Sequence, residues 1–207
     1  MDSNDNGREQ PTGIILTGGK STRFGSDKAS ALLRGRPLLQ WVADALSPVC
    51  STLVIVAAQG QRLPETHSVI PTETITDRYD SLGPLAAMVT AFEIVGNGSC
   101  FVAACDVPLL QPELARYLLS LADGFDVICA KAGESLQPLA AVYRPATCLP
   151  LFRTRVEARQ LKVIDAYADL KVRYVPDDGL REFDPDLRSF LNANEPGGLA
   201  EIERRLG

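Results

Sequence analysis

Three observations predict a single-domain α/β protein, with helices on both faces of a mainly parallel sheet. Short apolar, β-branched runs alternate with stretches of helical periodicity, the pattern of βαβ units. The chain has 207 residues, 45% hydrophobic and 23% charged, which is enough for one domain with a sizeable core. A glycine-rich loop directly follows the first apolar run, at the sheet edge where α/β proteins hold ligands.

Residues 13–16 form the first strand, apolar on both faces and therefore central. A loop then runs to Lys28. The segment 31–35 leads to Pro37, a good first helical residue. Leu38, Leu39, Trp41, Val42, Ala45, Leu46 and Val49 mark one apolar helical face, and Pro48 ends it. Residues 52–58, TLVIVAA, read as a second buried strand, and 59–82 as mostly loop around Ser68-Val69-Ile70. Gly83-Pro84 starts a helix to 95, which Gly96-Asn97-Gly98 stops. Residues 100–105 form a third strand, and Pro112 starts a helix to 122, stopped by Gly124. Strands at 125–130 and 139–144 flank a loop, 131–138. A helix follows, from 145 or from 155 to 170, then strands at 171–175 and 190–193 and a closing helix at 197–206. The polar, acidic segment 1–12 reads as a disordered tail, which leaves 13–207 as the domain.

Composition excludes several classes of function. The net charge of -5 offers no basic field for nucleic acid, and no run of about 18 apolar residues marks a membrane helix. The N-terminus is the opposite of a secretory signal. The five cysteines, Cys50, Cys100, Cys105, Cys129 and Cys148, are odd in number and lack C-x-x-C spacing. They read as reduced, buried thiols of a cytoplasmic protein.

The chemistry concentrates after the first strand. Gly18, Gly19, Ser21, Thr22, Gly25 and Ser26 are interleaved with Lys20, Arg23 and Lys28. Glycines let backbone N–H groups approach an anion, and the cations make a phosphate the natural ligand. Gly19-Lys20-Ser21 imitates the end of a P-loop, but the required earlier glycine is replaced by Ile14. The dinucleotide spacing G-x-G-x-x-G also fails. Lys20 therefore reads as a solvated side chain. Asp106 directly follows the third strand, so its carboxylate projects over the same crevice. Phosphoryl transfer calls for a divalent cation held by one or two carboxylates plus phosphate oxygens. An Asx turn before Pro108 is the competing reading of Asp106.

The string LTGGKSTRFGSDKASALL resembles the signature L-A-G-G-x-S-x-R-M-G-x-D-K-x-L-L of the molybdenum cofactor guanylyltransferases. These are nucleotidyltransferases on a Rossmann-like, three-layer α/β/α fold of the nucleotide-diphospho-sugar transferase type. Thr17 stands at the usual Ala and Phe24 at the usual Met. The resemblance implies that GMP passes from GTP to the terminal phosphate of Mo-molybdopterin, with release of pyrophosphate. It implies nucleotide contacts from Leu16, Thr17, Gly18, Gly19 and Lys28, with Arg23, Lys28 and Asp106 catalytic and Mg²⁺ on Asp106, in the string C-D-x-P. Asp77, before Gly83-Pro84-Leu85, matches the aspartate that contacts guanosine in relatives, and Asp80 competes for that match. Gln59 stands where relatives carry an asparagine, and an ordinary polar loop is an equal reading there. FLNANEPGGLAEIE resembles the relatives' N-x-N-T-P-x-D-L, which lies toward the pterin. This assigns Asn192 and Asn194 to that substrate, although Asn194 is also a good helix cap. Gln137 replaces the relatives' histidine before Pro138, and the single histidine, His67, lies outside every motif.

Asp27-Lys28 favours the guanylyltransferase branch. A cytidylyltransferase for the same pterin, or a transferase for another sugar or alcohol phosphate, is the alternative. A non-catalytic nucleotide-binding protein is a third reading. Other molybdenum-cofactor proteins or apo-molybdoenzymes are the implied protein partners.

Overall fold

The computed structural model describes residues 10–18, 28–79, 81–193 and 198–206. Strand β1 (Thr12–Leu16) is followed by a small hairpin, β2 (Leu32–Leu33) and β3 (Arg36–Pro37), and by helix α1 (Leu38–Leu46). Then come β4 (Thr52–Ala57), β5 (Thr72–Thr76), α2 (Pro84–Phe92), β6 (Cys100–Ala104) and α3 (Pro112–Ser120). The second half contains β7 (Val127–Ala132), β8 (Ser135–Tyr143), α4 (Pro145–Glu157), β9 (Val172–Val175), α5 (Asp177–Arg181) and α6 (Gly198–Arg205).

Among the described residues, seven strands form one sheet in the order β5-β4-β1-β6-β8-β7-β9. Strand β8 runs antiparallel to both its neighbours, and the other pairings are parallel. The chain builds β1, β4 and β5 outward in one direction and then returns to lay β6 on the other side of β1. That reversal opens a crevice at the carboxyl ends of β1 and β6. Side chains alternate across the central strands. Ile15, Ile55 and Phe101 face an apolar layer with α1 and α3, while Ile14, Val54 and Val102 face α2 and α4. The result is the three-layer α/β/α domain expected.

Several local expectations are corrected. Residues 59–82 are mostly loop, as expected, but they also contain the edge strand β5, bonded among the described residues only to β4. Its sequence TETIT is largely exposed, so it lacks the apolar run that marked the central strands. Val69, in the run Ser68-Val69-Ile70, is 92% exposed. Residues 131–138 are mostly strand, with only a tight turn at Gly133, whose φ is +59°. Pro138 is tolerated within β8 because the ladder to β7 is interrupted there. Cys129 pairs with Ala141 and Lys131 with Leu136, so residues 137–140 bulge opposite Ala130. The helix that starts at Pro145 stops at Glu157, and Val163–Asp169 is a separate 3-10 stretch. Arg159, with φ +59°, makes the break. Residues 190–193 are not a strand, and a 3-10 turn at Arg188–Phe190 precedes them instead.

Candidate active site

The crevice is built from the ends of β1, β4, β5 and β6. The β-ladder continues one residue past β1, with Thr17 N–H donating to the Val56 carbonyl at 3.1 Å. On the other side Cys105 N–H donates to the Leu16 carbonyl at 3.0 Å. Thr17 is therefore buried, and Gly18 is the residue that enters the open crevice. A Cβ on Gly18 would lie 3.3 Å from the Ala58 Cβ, so a side chain there would crowd the close approach of the β1 and β4 ends.

Asp106 follows β6 and is 5% exposed. Its main-chain carbonyl accepts from Ala193 N–H at 2.9 Å, which ties the C-terminal segment to the crevice. Lys28 opens the short 3-10 turn Lys28–Ser30 that leads into the β2–β3 hairpin. Its Nζ lies 3.6 Å from Asp106 Oδ2. The two residues predicted to act together are thus paired in the fold, with little solvent to screen them.

These groups line a cleft of about 430 Å³. Its floor is Leu16, Thr17, Gly18 and Asp106, and its walls are Lys28, the bulged part of β8, Phe190 and Asn192. Gln137 stands in the β8 wall. Buried tyrosines brace that wall. Tyr143 Oη donates to the Pro138 carbonyl at 2.7 Å and so accepts from Tyr167 Oη at 2.6 Å.

A second cleft of about 490 Å³ shares Gly18 and Pro84 with the first. It is lined by Ala58, Gln59, Asp77 and Gly83. Asp77 directly follows β5, and its N–H donates to the Ala57 carbonyl at 2.7 Å. Its Oδ1 accepts from Tyr79 N–H at 3.0 Å and from Thr90 Oγ1 at 2.8 Å. That oxygen is committed to the loop and to α2, so one carboxylate oxygen, Oδ2, is left for the cleft. Gln59 Nε2 reaches the carbonyls of Asp77 and Arg78 at 3.4 and 3.3 Å. Gly83, with φ +83°, turns the chain into α2, whose N-terminus carries no side-chain cap.

The structure therefore gathers Leu16, Thr17, Gly18, Lys28, Asp106 and Asn192 around one cleft, with Gln59 and Asp77 around the adjoining one. Gly19, Arg23, Asp80 and Asn194 lie outside the described residues. His67 is held through its main chain by Gln40 and lines neither cleft.

Two supporting residues carried no sequence motif. Gln61 links the ends of β1 and β4. Its Oε1 accepts from Ala58 N–H at 2.7 Å and lies 2.9 Å from Thr17 Oγ1, and its Nε2 donates to the Thr17 carbonyl at 3.3 Å. Asp184, 1% exposed, accepts from the N–H groups of Arg188 at 3.0 Å and Ser189 at 2.7 Å. Ser189 Oγ in turn accepts from Gln111 N–H at 2.9 Å. This network shapes the turn before Phe190 and Asn192. Replacing Asp184 by Ala removes two charge-assisted bonds and is expected to cost about 3 kcal/mol, read as a lower urea midpoint.

All five cysteines are buried and unbridged. Burial pushes the Cys50 and Cys148 thiols up to about 12, so neither forms a thiolate nucleophile near neutral pH. Among the described residues, no group of three or more His, Cys, Asp or Glu side chains could hold a metal by protein ligands alone. No helix there is long and apolar enough to cross a membrane.

The chain is similar to known proteins over most of its length. A probable molybdenum cofactor guanylyltransferase of Pelotomaculum thermopropionicum is 35% identical over 195 residues, covering 93% of this chain and 91% of its own. A molybdenum cofactor guanylyltransferase of Desulfosudis oleivorans is 33% identical, covering 93% and 94%. The crystal structure of molybdopterin-guanine dinucleotide biosynthesis protein A from Archaeoglobus fulgidus superposes with a TM-score of 0.78 at 27% identity, covering 94% of this chain and 98% of that one. The MobA-like NTP transferase domain model matches residues 13–178, and the chain belongs to that family.

Proposed function

We propose that the protein transfers GMP from GTP to the terminal phosphate of Mo-molybdopterin, releasing pyrophosphate and forming the guanine dinucleotide form of the cofactor. The observation that carries this reading is the Lys28–Asp106 pair, 3.6 Å apart, facing Gly18 across the β1–β6 crevice. The relatives at 35% and 33% identity are named molybdenum cofactor guanylyltransferases, which supports a guanylyl group as the one transferred and the molybdenum cofactor as its acceptor.

The two clefts divide the work. The cleft of Ala58, Gln59 and Asp77 receives the nucleoside, with Asp77 Oδ2 accepting one hydrogen bond from it. We assign Leu16, Thr17, Gly18 and Gly19 to the nucleotide, and Arg23 and Lys28 to its phosphates. The cleft bounded by Gln137, Phe190 and Asn192 receives the pterin, with Asn192 and Asn194 as amide partners. The attacking pterin phosphate is already ionised, so no general base is needed. This suits a cleft whose lining includes no histidine among the described residues. Negative charge shifts to the departing pyrophosphate, and the fixed Lys28 ammonium and loop amides stabilise it. Catalysis is then mainly positioning and electrostatics.

The donors fit a magnesium ion in the manner of phosphate-transfer sites. Asp106 offers one nearly buried carboxylate beside the phosphate loop, and Mg²⁺ takes one or two carboxylates with phosphate oxygens and waters as the rest. When bound, Mg²⁺ neutralises phosphate charge. We assign Asp106 as its protein ligand. The unbridged thiols support a cytoplasmic location, where other molybdenum-cofactor proteins or apo-molybdoenzymes would supply the pterin and accept the product.

The test is a nucleotide panel. With Mg²⁺ present, GTP at about 100 times its Kd is expected to raise the melting temperature by on the order of 5 °C, and CTP, UTP and ATP by less. Pyrophosphate release with GTP and the pterin acceptor completes the assignment. A larger shift with CTP transfers the protein to the cytidylyl reaction, and no release with any nucleotide removes the catalytic reading.

A further inference from the structure

The hydrogen-bond ladder between β1 and β4 has an inserted rung. Leu16 is in register with Val56, and Thr17 N–H donates to Val56 O. In a continuing parallel ladder the next bond would join Ala58 N–H to the Thr17 carbonyl. Instead both groups meet the Gln61 side chain. Ala58 N–H donates to Oε1 at 2.7 Å, and Nε2 donates to the Thr17 carbonyl at 3.3 Å. The primary amide stands in for a peptide unit and satisfies both backbone groups where the two strands part. The Thr17 hydroxyl, 2.9 Å from Oε1 and 2.8 Å from Val56 O, adds a further contact at the same point.

Thr17 C=O and Gly18 N–H belong to one trans peptide unit and point in opposite directions. Anchoring the carbonyl therefore fixes where the Gly18 N–H points, and Gly18 lines both clefts. We infer that Gln61 is a positioning residue for nucleotide binding: its amide parts the ends of β1 and β4 and pre-orients the Gly18 N–H toward the triphosphate. The inference rests on the assignment of this groove to a nucleoside triphosphate. Thr17 cooperates with Gln61 through its carbonyl and hydroxyl.

The test compares wild type with Gln61→Leu and Gln61→Glu. Leucine removes both rungs at similar volume. Glutamate keeps an acceptor for Ala58 N–H but cannot donate to the Thr17 carbonyl. Binding of GTP with Mg²⁺ is measured by calorimetry, and KM and kcat by pyrophosphate release. The expected result is a Kd and KM for GTP raised at least about tenfold in both variants, with kcat lowered as well, because the Gly18 N–H serves the triphosphate in the ground state and the departing pyrophosphate in the transition state. If the leucine variant does not fold, the glutamate variant decides alone. A GTP Kd within twofold of wild type in the folded variants, even with a lowered melting temperature, makes Gln61 merely structural and overturns the inference. Wild type binding no nucleoside triphosphate overturns the site assignment, and this inference with it.

Discussion

Asp106→Asn is expected to lower GMP transfer by about 10³ or more, since a metal-held phosphate clamp is worth several kcal/mol of transition-state stabilisation. The substitution is nearly isosteric, and the bond that ties this position to Ala193 uses the main-chain carbonyl of Asp106. The fold should therefore persist, and the melting temperature checks this. The amide removes the negative charge facing Lys28 Nζ and offers magnesium only a neutral carbonyl oxygen, a much weaker ligand than a carboxylate. Raising magnesium tenfold should recover little of the activity. Near-normal turnover at ordinary magnesium would move the metal away from Asp106 and leave that residue its ion pair with Lys28.

The parts of this molecule that could be read in the sequence are those whose signals are local. Strands β1, β4 and β6 are sandwiched between helices, so both their faces are apolar and their runs stand out. Asp106 was legible for the same reason, because a carboxylate directly after such a run lies at the crevice. Asp77 follows a strand as well, but β5 is an edge strand with exposed threonines, so its position at a strand end was hidden. The bulge in β8 was hidden by Pro138, which reads as a strand breaker unless the partner ladder is known to be interrupted. Gln61 acts on a main-chain group distant in sequence, whereas Asp184 holds the nearby N–H groups of Arg188 and Ser189. Thr17 is 44 residues from Gln61, and no spacing rule connects them. Asp184 sits in the acidic string FDPDL, and only burial separates it from its neighbour Asp186.

Lys28→Ala is expected to reduce turnover by about 10²–10³, the cost of losing one preorganised donor to developing charge. Its effect should be coupled to that of Asp106. With Nζ and Oδ2 at 3.6 Å and both side chains largely buried, each sets the electrostatic surroundings of the other. Removing Lys28 leaves the Asp106 carboxylate without this cation. Removing Asp106 lets the ammonium leave its place beside the phosphates. The double substitution should therefore cost much less than the product of the single losses, as for residues that act as one unit. A double-mutant cycle on pyrophosphate release measures the coupling. Losses that multiply would mean that the pair seen in the structure separates before catalysis, with the two residues serving different steps. Full activity in Lys28→Ala would dismiss its role in stabilising the leaving pyrophosphate and shift that role to the loop amides and Arg23.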